Sequence, residues 1–270
     1  AEGYAHPEWL ADAAWLRERL GGPGLRVVAL TSAEEYAAGH VPGAVPIDWP
    51  ELELTDTSEP AVAAWRGEVE AKLTPLGMRP DDTVVVYDGG TLYAPRLWWV
   101  LRHLGHRDVR VLDGGLPAWV AAGGQVETAG TWVGYSPDDP YRGAPDDALL
   151  ATKEEVVASL GDPGAVLVDA RSPEEYAAGH IPGAVNVPFT ANARPDDPKS
   201  WKPAAELRAL YEAAGLAPGT RVIPYCSTGV RSAVTAFTLA LLGYDIALYT
   251  GSWAEWSADP GLPKTTGAAP

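Results

Sequence analysis

The sequence predicts an α/β fold made of two copies of one domain, each a mostly parallel β-sheet with helices on both faces. Three features predict it: a long internal repeat, an alternation of short apolar runs with helix-length segments, and a strand–loop–helix transition at Cys226, the only cysteine in 270 residues. Hydrophobic residues make up 46% of the chain and charged residues 21%, which is typical of a globular protein. The length suits two domains of ordinary size.

The repeat fixes the domain organisation. Residues 32–45 return as residues 172–185, an offset of 140 residues at which twelve of fourteen positions agree. That period is the length of a whole domain, not of a solenoid unit. We therefore predict a first domain at 5–128, a linker at 129–147 and a second domain at 148–258. The linker is rich in Gly, Pro and Asp, and Trp132, Tyr135 and Tyr141 predict that it packs on the domains.

In the second half, the pattern predicts helices over 154–160, 173–178, 204–214 and 232–242, and strands over 165–170, 185–187, 221–225 and 246–249. Ser172 suits the N-cap of the second helix, with Pro173 in its first turn. Gly215 ends the third. Pro224 conflicts with a central strand, because proline cannot donate to the ladder. The tail over 259–270 is rich in Pro, Gly and Thr and is expected to be poorly ordered.

The chemistry is expected at residues 226–232, Cys-Ser-Thr-Gly-Val-Arg-Ser. A strand that ends, turns through small residues and starts a helix directs its backbone N–H groups at one point. A thiolate there is stabilised by those groups, by the helix dipole and by a nearby arginine. Arg231 is the candidate for that local cation; the alternative for Arg231 is a salt bridge to a neighbouring carboxylate.

Composition excludes several classes of partner. The net charge of −16 argues against nucleic acid and anionic membranes. The longest apolar run, near 233–242, is too short to span a bilayer. We expect no metal and no cofactor, since five histidines and one cysteine lack ligand spacing and no nucleotide-binding glycine motif occurs. A cytoplasmic monomer is expected; with no initiator Met and no visible signal peptide, an exported protein is the alternative.

Three motifs carry a family resemblance. The repeated Glu-Glu-Tyr-Ala-Ala-Gly-His-[Val/Ile]-Pro-Gly-Ala, the Asp169-Ala-Arg171 stretch and the Gly251-Ser-Trp-Ala-Glu-Trp256 stretch resemble the rhodanese family, specifically its tandem-domain sulfurtransferases. The similarity covers roughly residues 9–256. It implies a catalytically silent first domain and a catalytic second domain, and Asp88 aligns with Cys226 accordingly. It also implies a site at the domain interface.

The resemblance implies a sulfurtransferase. Sulfane sulfur would pass from thiosulfate or 3-mercaptopyruvate to cyanide, a thiol or a protein through a Cys226 persulfide, by ping-pong kinetics. The loop that binds the sulfur would comprise Ser227, Thr228, Gly229, Val230, Arg231 and Ser232. Tyr93 matches the family stretch that reaches the pocket from the first domain, although a plain interface aromatic is the alternative. His40 and His180 occur in both copies and are expected to be structural.

Departures from the family pattern leave the donor open. The thiosulfate branch has two basic residues after the cysteine, where this chain has Ser227 and Thr228. Thr228 fits the mercaptopyruvate branch, but the aspartate that this branch pairs with a histidine is here Ala29. The arginine that clamps the donor in both branches is here Glu175. Thr250 replaces an acidic residue of the family.

Two other functions stay open. A persulfide relay or binding module would accept sulfur from a protein and turn over small donors poorly. A cysteine-dependent phosphatase or arsenate reductase would need a Cys-x5-Arg loop, whereas only four residues separate Cys226 from Arg231.

Overall fold

The computed structural model describes residues 3–128, 134 and 138–270. Trp132 and Tyr135, expected to pack on the domains, lie outside the described residues. Tyr141, from the same segment, is buried.

The first half forms a five-stranded parallel sheet in the order β1-β5-β4-β2-β3. Its strands are β1 (Leu10–Ala11), β2 (Leu25–Leu30), β3 (Val45–Ile47), β4 (Thr83–Tyr87) and β5 (Val109–Leu112). Its helices are α1 (Ala13–Arg19), α2 (Ala33–Ala38), α3 (Glu59–Leu73), α4 (Pro95–His103) and α5 (Gly115–Ala121).

The second half repeats this arrangement as a four-stranded parallel sheet in the order β7-β6-β8-β9. Its strands are β6 (Ala165–Asp169), β7 (Val185–Asn186), β8 (Arg221–Tyr225) and β9 (Asp245–Ile246). Its helices are α6 (Lys153–Ser159), α7 (Pro173–Ala178), α8 (Ala204–Ala213), α9 (Val230–Leu242) and α10 (Ser252–Ala258).

Both faces of each sheet are covered, as parallel sheets require. Successive side chains of a strand point to opposite faces. In β4, Val84 and Val86 therefore enter the core shared with the second half, while Val85 and Tyr87 pack into a separate layer beneath α1 and α5. The second sheet divides in the same way between the shared core and its own outer layer. The predicted fold class is confirmed.

Helices α4 and α9 hold the two halves together. Each follows the strand and loop at the centre of its own sheet, and they pack against each other through aromatic side chains. The ring of Phe237 lies 5.0 Å from that of Trp98 and 5.4 Å from that of Trp201. The N-terminal segment crosses to the second half, where the Ala5 N–H donates to the carbonyl of Leu241 at 2.8 Å. The loop before α9 consequently lies beside the first half.

The predicted elements of the second half agree with the structure to within one residue at each end, except at three places. Helix α7 has the predicted bounds, whereas α9 begins at Val230, two residues earlier than expected. The predicted bounds of the last strand, 246–249, are wrong, because β9 spans Asp245–Ile246. The tail, expected to be poorly ordered, instead exchanges two backbone hydrogen bonds between Thr265 and His180, at 2.9 and 3.0 Å.

Pro224 gives a physical reason for the short β9. It pairs with Val168 of β6 inside β8, and its carbonyl accepts from the Tyr249 N–H at 3.1 Å. Its peptide group therefore faces the β9 side, where proline has no N–H to donate in return. The pairing between β8 and the segment after Ile246 therefore lacks the hydrogen bond that a residue with an N–H would donate at position 224.

No helix among the described residues is long and apolar enough to cross a membrane.

Candidate active site

Cys226 lies between the end of β8 and the start of α9, with 1% of its surface exposed. Its Sγ accepts a hydrogen bond from the Gly229 backbone N–H at 3.1 Å and another from the Ser232 hydroxyl at 3.3 Å. Both donors belong to the loop and to the first turn of a 13-residue helix. The sulfur thus occupies a position where donors and the helix dipole favour negative charge.

Gly229 is required by this turn. Its φ of +93° lies in the left-handed region, where a side chain is strained. A Cβ would also lie 3.1 Å from the carbonyl oxygen of Thr250. The loop therefore packs closely against the segment before α10.

The first turn of α10 fixes the cysteine backbone. The Cys226 N–H donates to Ser252 Oγ at 3.1 Å, and the Ser252 hydroxyl donates to the Tyr249 carbonyl at 2.8 Å. In return, the Trp253 N–H donates to the Cys226 carbonyl at 2.9 Å. Ser252 has a φ of +56°, which is uncommon for a residue other than glycine. The role of Ser252 was not predicted from the sequence, although Ser252 belongs to the Gly251–Trp256 motif.

Arg231 does not point its guanidinium at the sulfur. Its Nη1 and Nη2 contact Glu175 at 2.7 and 3.0 Å, and Nη2 also donates to Ser227 Oγ at 2.7 Å. The Arg231 hydrogen bond lowers the pKa of Glu175 to about 2, and Glu175 raises the pKa of Arg231. The structure therefore has the salt bridge that the sequence left as the alternative for Arg231, formed by the residue at the position of the family's clamping arginine.

The remaining predicted residues lie around the same loop. Ser227 and Thr228 are half-buried, and Val230 is buried. Tyr93 belongs to the first half and lies at the interface. Its ring is 6.1 Å from that of Trp49 in the same half and 5.9 Å from that of Phe189 in the second half. Burial raises the pKa of Tyr93, and the charges of Arg231 and Cys226 act on it in opposite directions.

Arg96 was missed by the sequence analysis. This α4 side chain is fully buried, and its Nη2 donates to the Leu52 carbonyl at 2.5 Å. Nε and Nη1 have no partner among the residues that the structure describes. Nη1 lies 3.6 Å from the position that a Cβ on Gly229 would take. The sequence signal that could have identified Arg96 is its position three residues after Tyr93, in the stretch that was expected to reach the site.

The equivalent loop of the first half surrounds a carboxyl group. Asp88 Oδ1 accepts from the N–H groups of Gly90 and Thr91 at 2.8 and 3.1 Å, and Oδ2 accepts from Ala94 at 2.9 Å. Burial raises the pKa of Asp88, and these backbone donors oppose that effect. In one half, then, the loop holds a carboxyl group, and in the other a sulfur atom.

The two repeated histidines share two contacts and differ at Nε2, which in His40 lies 3.5 Å from Glu127 and in His180 has no partner among the described residues. His40 and His180 each bond through Nδ1 to the carbonyl oxygen of the tyrosine four residues earlier, at 2.8 Å. Each ring also stacks on that tyrosine, at 3.8 Å for His40 and 3.7 Å for His180. This arrangement fits a structural role in both halves.

Comparison with known proteins places the chain in a family. The model of the rhodanese-like domain matches it twice, at residues 12–122 and 152–259. The chain therefore belongs to the rhodanese family, with two such domains in tandem.

Its relatives are similar over nearly their full length. It is 36% identical to the sulfur carrier protein TtuD of Thermus thermophilus, covering 98% of this chain and 99% of that protein. It is also 36% identical to a thiosulfate sulfurtransferase of Pseudomonas aeruginosa, covering 92% and 93%. The crystal structure of SseA from Escherichia coli, described as a 3-mercaptopyruvate sulfotransferase, superposes with a TM-score of 0.77 at 29% identity, covering 91% of this chain and 98% of SseA.

Proposed function

We propose that this chain is a sulfurtransferase that carries sulfane sulfur from thiosulfate or 3-mercaptopyruvate to a thiophilic acceptor as a persulfide on Cys226. The observation that carries the proposal is the position of Cys226 Sγ, which accepts from the Gly229 N–H and the Ser232 hydroxyl at the start of α9. The sulfurtransferase names of the relatives support the same reaction.

The first half-reaction forms a sulfur–sulfur bond. The Cys226 thiolate attacks the outer sulfur of the donor, and the bond from that sulfur to the rest of the donor breaks. Sulfite leaves from thiosulfate, and pyruvate, after protonation of its enolate, leaves from 3-mercaptopyruvate. Cys226 then carries an anionic persulfide, which needs donors to stabilise its charge.

The second half-reaction restores the thiolate. Cyanide or a thiolate attacks the outer sulfur and takes it as thiocyanate or a new persulfide, while the electron pair returns to Cys226 Sγ. The Gly229 N–H and the Ser232 hydroxyl donate to Sγ, so they stabilise the negative charge of the thiolate that this step restores.

The other predicted site residues surround Cys226 in sequence or come from the first half. Ser227, Thr228 and Val230 belong to the proposed sulfur-binding loop. Tyr93 of the first half lies close enough for the charge of Cys226 to act on its pKa, which supports a place for Tyr93 in the same site. Arg231 supplies a positive charge at the start of α9, and the carboxylate of Glu175 offsets that charge. The first domain (5–128) is catalytically silent, since its loop carries Asp88, and the linker (129–147) leads to the catalytic domain (148–258).

A persulfide relay is the second candidate, and the Arg231–Glu175 pair favours it. A donor such as thiosulfate carries two negative charges, and the cation at the mouth is already matched by a carboxylate. A sulfur donated by a protein thiol needs no such cation. The name of the Thermus relative, a sulfur carrier protein, is consistent with this alternative.

The phosphatase or arsenate reductase alternative has less support. Those enzymes turn the arginine of their loop onto the bound oxyanion, whereas Arg231 bonds to Glu175 and Ser227. We propose a donor and an acceptor as partners, a monomeric cytoplasmic protein, and no nucleic acid or membrane partner, for which the net charge of −16 is the support.

The test is a transfer assay with cyanide as acceptor and thiosulfate and 3-mercaptopyruvate as parallel donors. Thiocyanate formation with double-reciprocal lines that stay parallel as cyanide is varied is the expected result for a ping-pong enzyme. Turnover that persists in Cys226→Ser would contradict the proposal. Persulfide on Cys226 without turnover on either donor would favour the relay.

A further inference from the structure

The buried guanidinium of Arg96 forms no ion pair with any residue that the structure describes. Its guanidinium is fully buried, yet no carboxylate among the described residues accepts a hydrogen bond from it, and Nε and Nη1 are without partners there. It donates to the Leu52 carbonyl, its Cζ lies 5.4 Å from the ring of Trp99, and its Nη1 lies beside Gly229. The negative charges that act on it are those of Cys226 and, at longer range, Glu53. An uncompensated buried cation is costly, so it calls for an explanation.

We propose that Arg96 is a positioning residue of the first domain that stabilises the anionic sulfur on Cys226 across the domain interface. Its Nη1 packs against Gly229, whose N–H donates to Cys226 Sγ. The cation therefore lies beside the residue whose N–H donates to the sulfur. The thiolate part of this proposal stands on geometry alone, while the persulfide part rests on the proposed function.

Charge explains why this position is effective. Burial lowers the pKa of Arg96 to about 10, so the side chain stays protonated at neutral pH, and the negative charge of Cys226 favours that state. Charges separated by buried protein are screened less than charges at the surface. A cation inside the interface acts on Cys226 more strongly than one of equal charge in water.

Other charges also act on the sulfur and must be kept constant. Arg231 on α9 and Tyr93 before α4 interact with Cys226, and Glu175 on α7 neutralises Arg231. On α10, Glu255 faces Gly251 and is held by Thr57 at 2.9 Å. Since Arg231 is paired, Arg96 is the cation near Cys226 that forms no described ion pair.

The assignment gives the first domain a part in the chemistry. Helix α4 packs on α9, and Arg96 is the charged residue of α4 that touches the loop of the second domain. The first domain would thus supply the positive charge that the sulfur needs, in addition to Tyr93 at the mouth.

The experiment measures the rate of Cys226 alkylation by iodoacetamide against pH in the full chain, without any donor. Because the chain has one cysteine, the profile reports a single thiol. Arg96→Gln keeps an N–H for Leu52 and removes the charge, and Arg96→Lys keeps the charge. The matched control is Arg102→Gln, also on α4, whose Nη1 binds the carbonyl of Arg107 at 2.7 Å, at the far end of the helix.

We expect Arg96→Gln to move the alkylation profile towards higher pH by about one pH unit. The Arg96→Lys profile should lie close to that of the wild type, and the Arg102→Gln profile should be unchanged. A folded Arg96→Gln protein with the wild-type profile would overturn the proposal. If Arg96→Gln does not fold, Arg96→Met replaces it, and failure of both neutral variants to fold would assign Arg96 to the fold and overturn the proposal too. Because no donor is present, the result is independent of whether sulfur is transferred.

Discussion

Glu175 and Arg231 form a two-point ion pair at the mouth of the candidate site, with Nη1–Oε2 and Nη2–Oε1 distances of 2.7 and 3.0 Å. Glu175 is at the same time the last member of the capping box that opens α7, where it accepts from the Ser172 N–H at 3.0 Å. One carboxylate therefore caps the start of α7 and neutralises Arg231 in the first turn of α9.

Glu175→Gln should raise kcat/KM for thiosulfate. Gln keeps the side-chain length but removes the negative charge, so Arg231 becomes free to attract a dianionic donor. We expect an increase of about three- to tenfold that shrinks as salt is added, because exposed charges are screened. Steady-state kinetics at low and high ionic strength measure it.

The matched control is Glu35→Gln. Glu35 is the same residue of the first repeat, caps α2 through Ser32 in the same way, and lies near Gly89 of the Asp88 loop. Its replacement should leave the kinetics unchanged. Equal effects of the two substitutions, or no effect of Glu175→Gln, would show that Arg231 does not meet the donor.

The ion pair should stabilise the fold in a pH-dependent way. The pKa of Glu175 lies at about 2 in the folded chain against an ordinary value of 4.5, so the contribution is complete above 4.5 and is lost as the pH falls towards 2. The carboxylate is 40% exposed, so the effect should stay below about 1 kcal/mol. Urea unfolding of wild type and Glu175→Gln should differ most at pH 7, and the difference should shrink below pH 4.5 and vanish as the pH approaches 2. A gap that is constant with pH would contradict this.

Gly229→Ala should damage the loop more than its conformation alone explains. Gly229 and Gly215 share a φ of +93°, but only at Gly229 would a Cβ meet Thr250, at 3.1 and 3.2 Å from its carbonyl oxygen and Cα. Gly215→Ala should lower the free energy of unfolding by about 1 kcal/mol, and Gly229→Ala by about 2–4 kcal/mol with a loss of transfer activity. Chemical denaturation and the cyanide assay compare them; equal losses at both sites would mean that the contact with Thr250 relaxes without cost.

Local sequence signals predicted much of the fold. The repeat, the Ser172 N-cap and the apolar alternation predicted the parallel sheets with both faces covered and the bounds of α7. These features depend on residues close in sequence. The loop at Cys226 was predictable for the same reason, since a strand, a glycine turn and a helix follow one another directly.

Partners that are distant in sequence were not predictable. Glu175 and Arg231 are 56 residues apart, and Ser252 is 26 residues from Cys226. Arg96 reaches the second domain only because α4 packs on α9. The end of β9 at Ile246 likewise depends on Pro224 in the neighbouring strand. Each is set by how the elements pack together.

The most direct test of the account is the intact mass of the protein after treatment with thiosulfate or 3-mercaptopyruvate, followed by removal of the donor. If Cys226 carries the sulfur as a persulfide, the mass of the protein increases by one sulfur atom, and cyanide removes the increase. The mass of Cys226→Ser should not increase, since the chain has no other cysteine. Ser159→Ala, a helix serine whose hydroxyl bonds to the Val156 carbonyl, should gain the sulfur like the wild type. A gain that survives in Cys226→Ser, or no gain with either donor, would contradict the account.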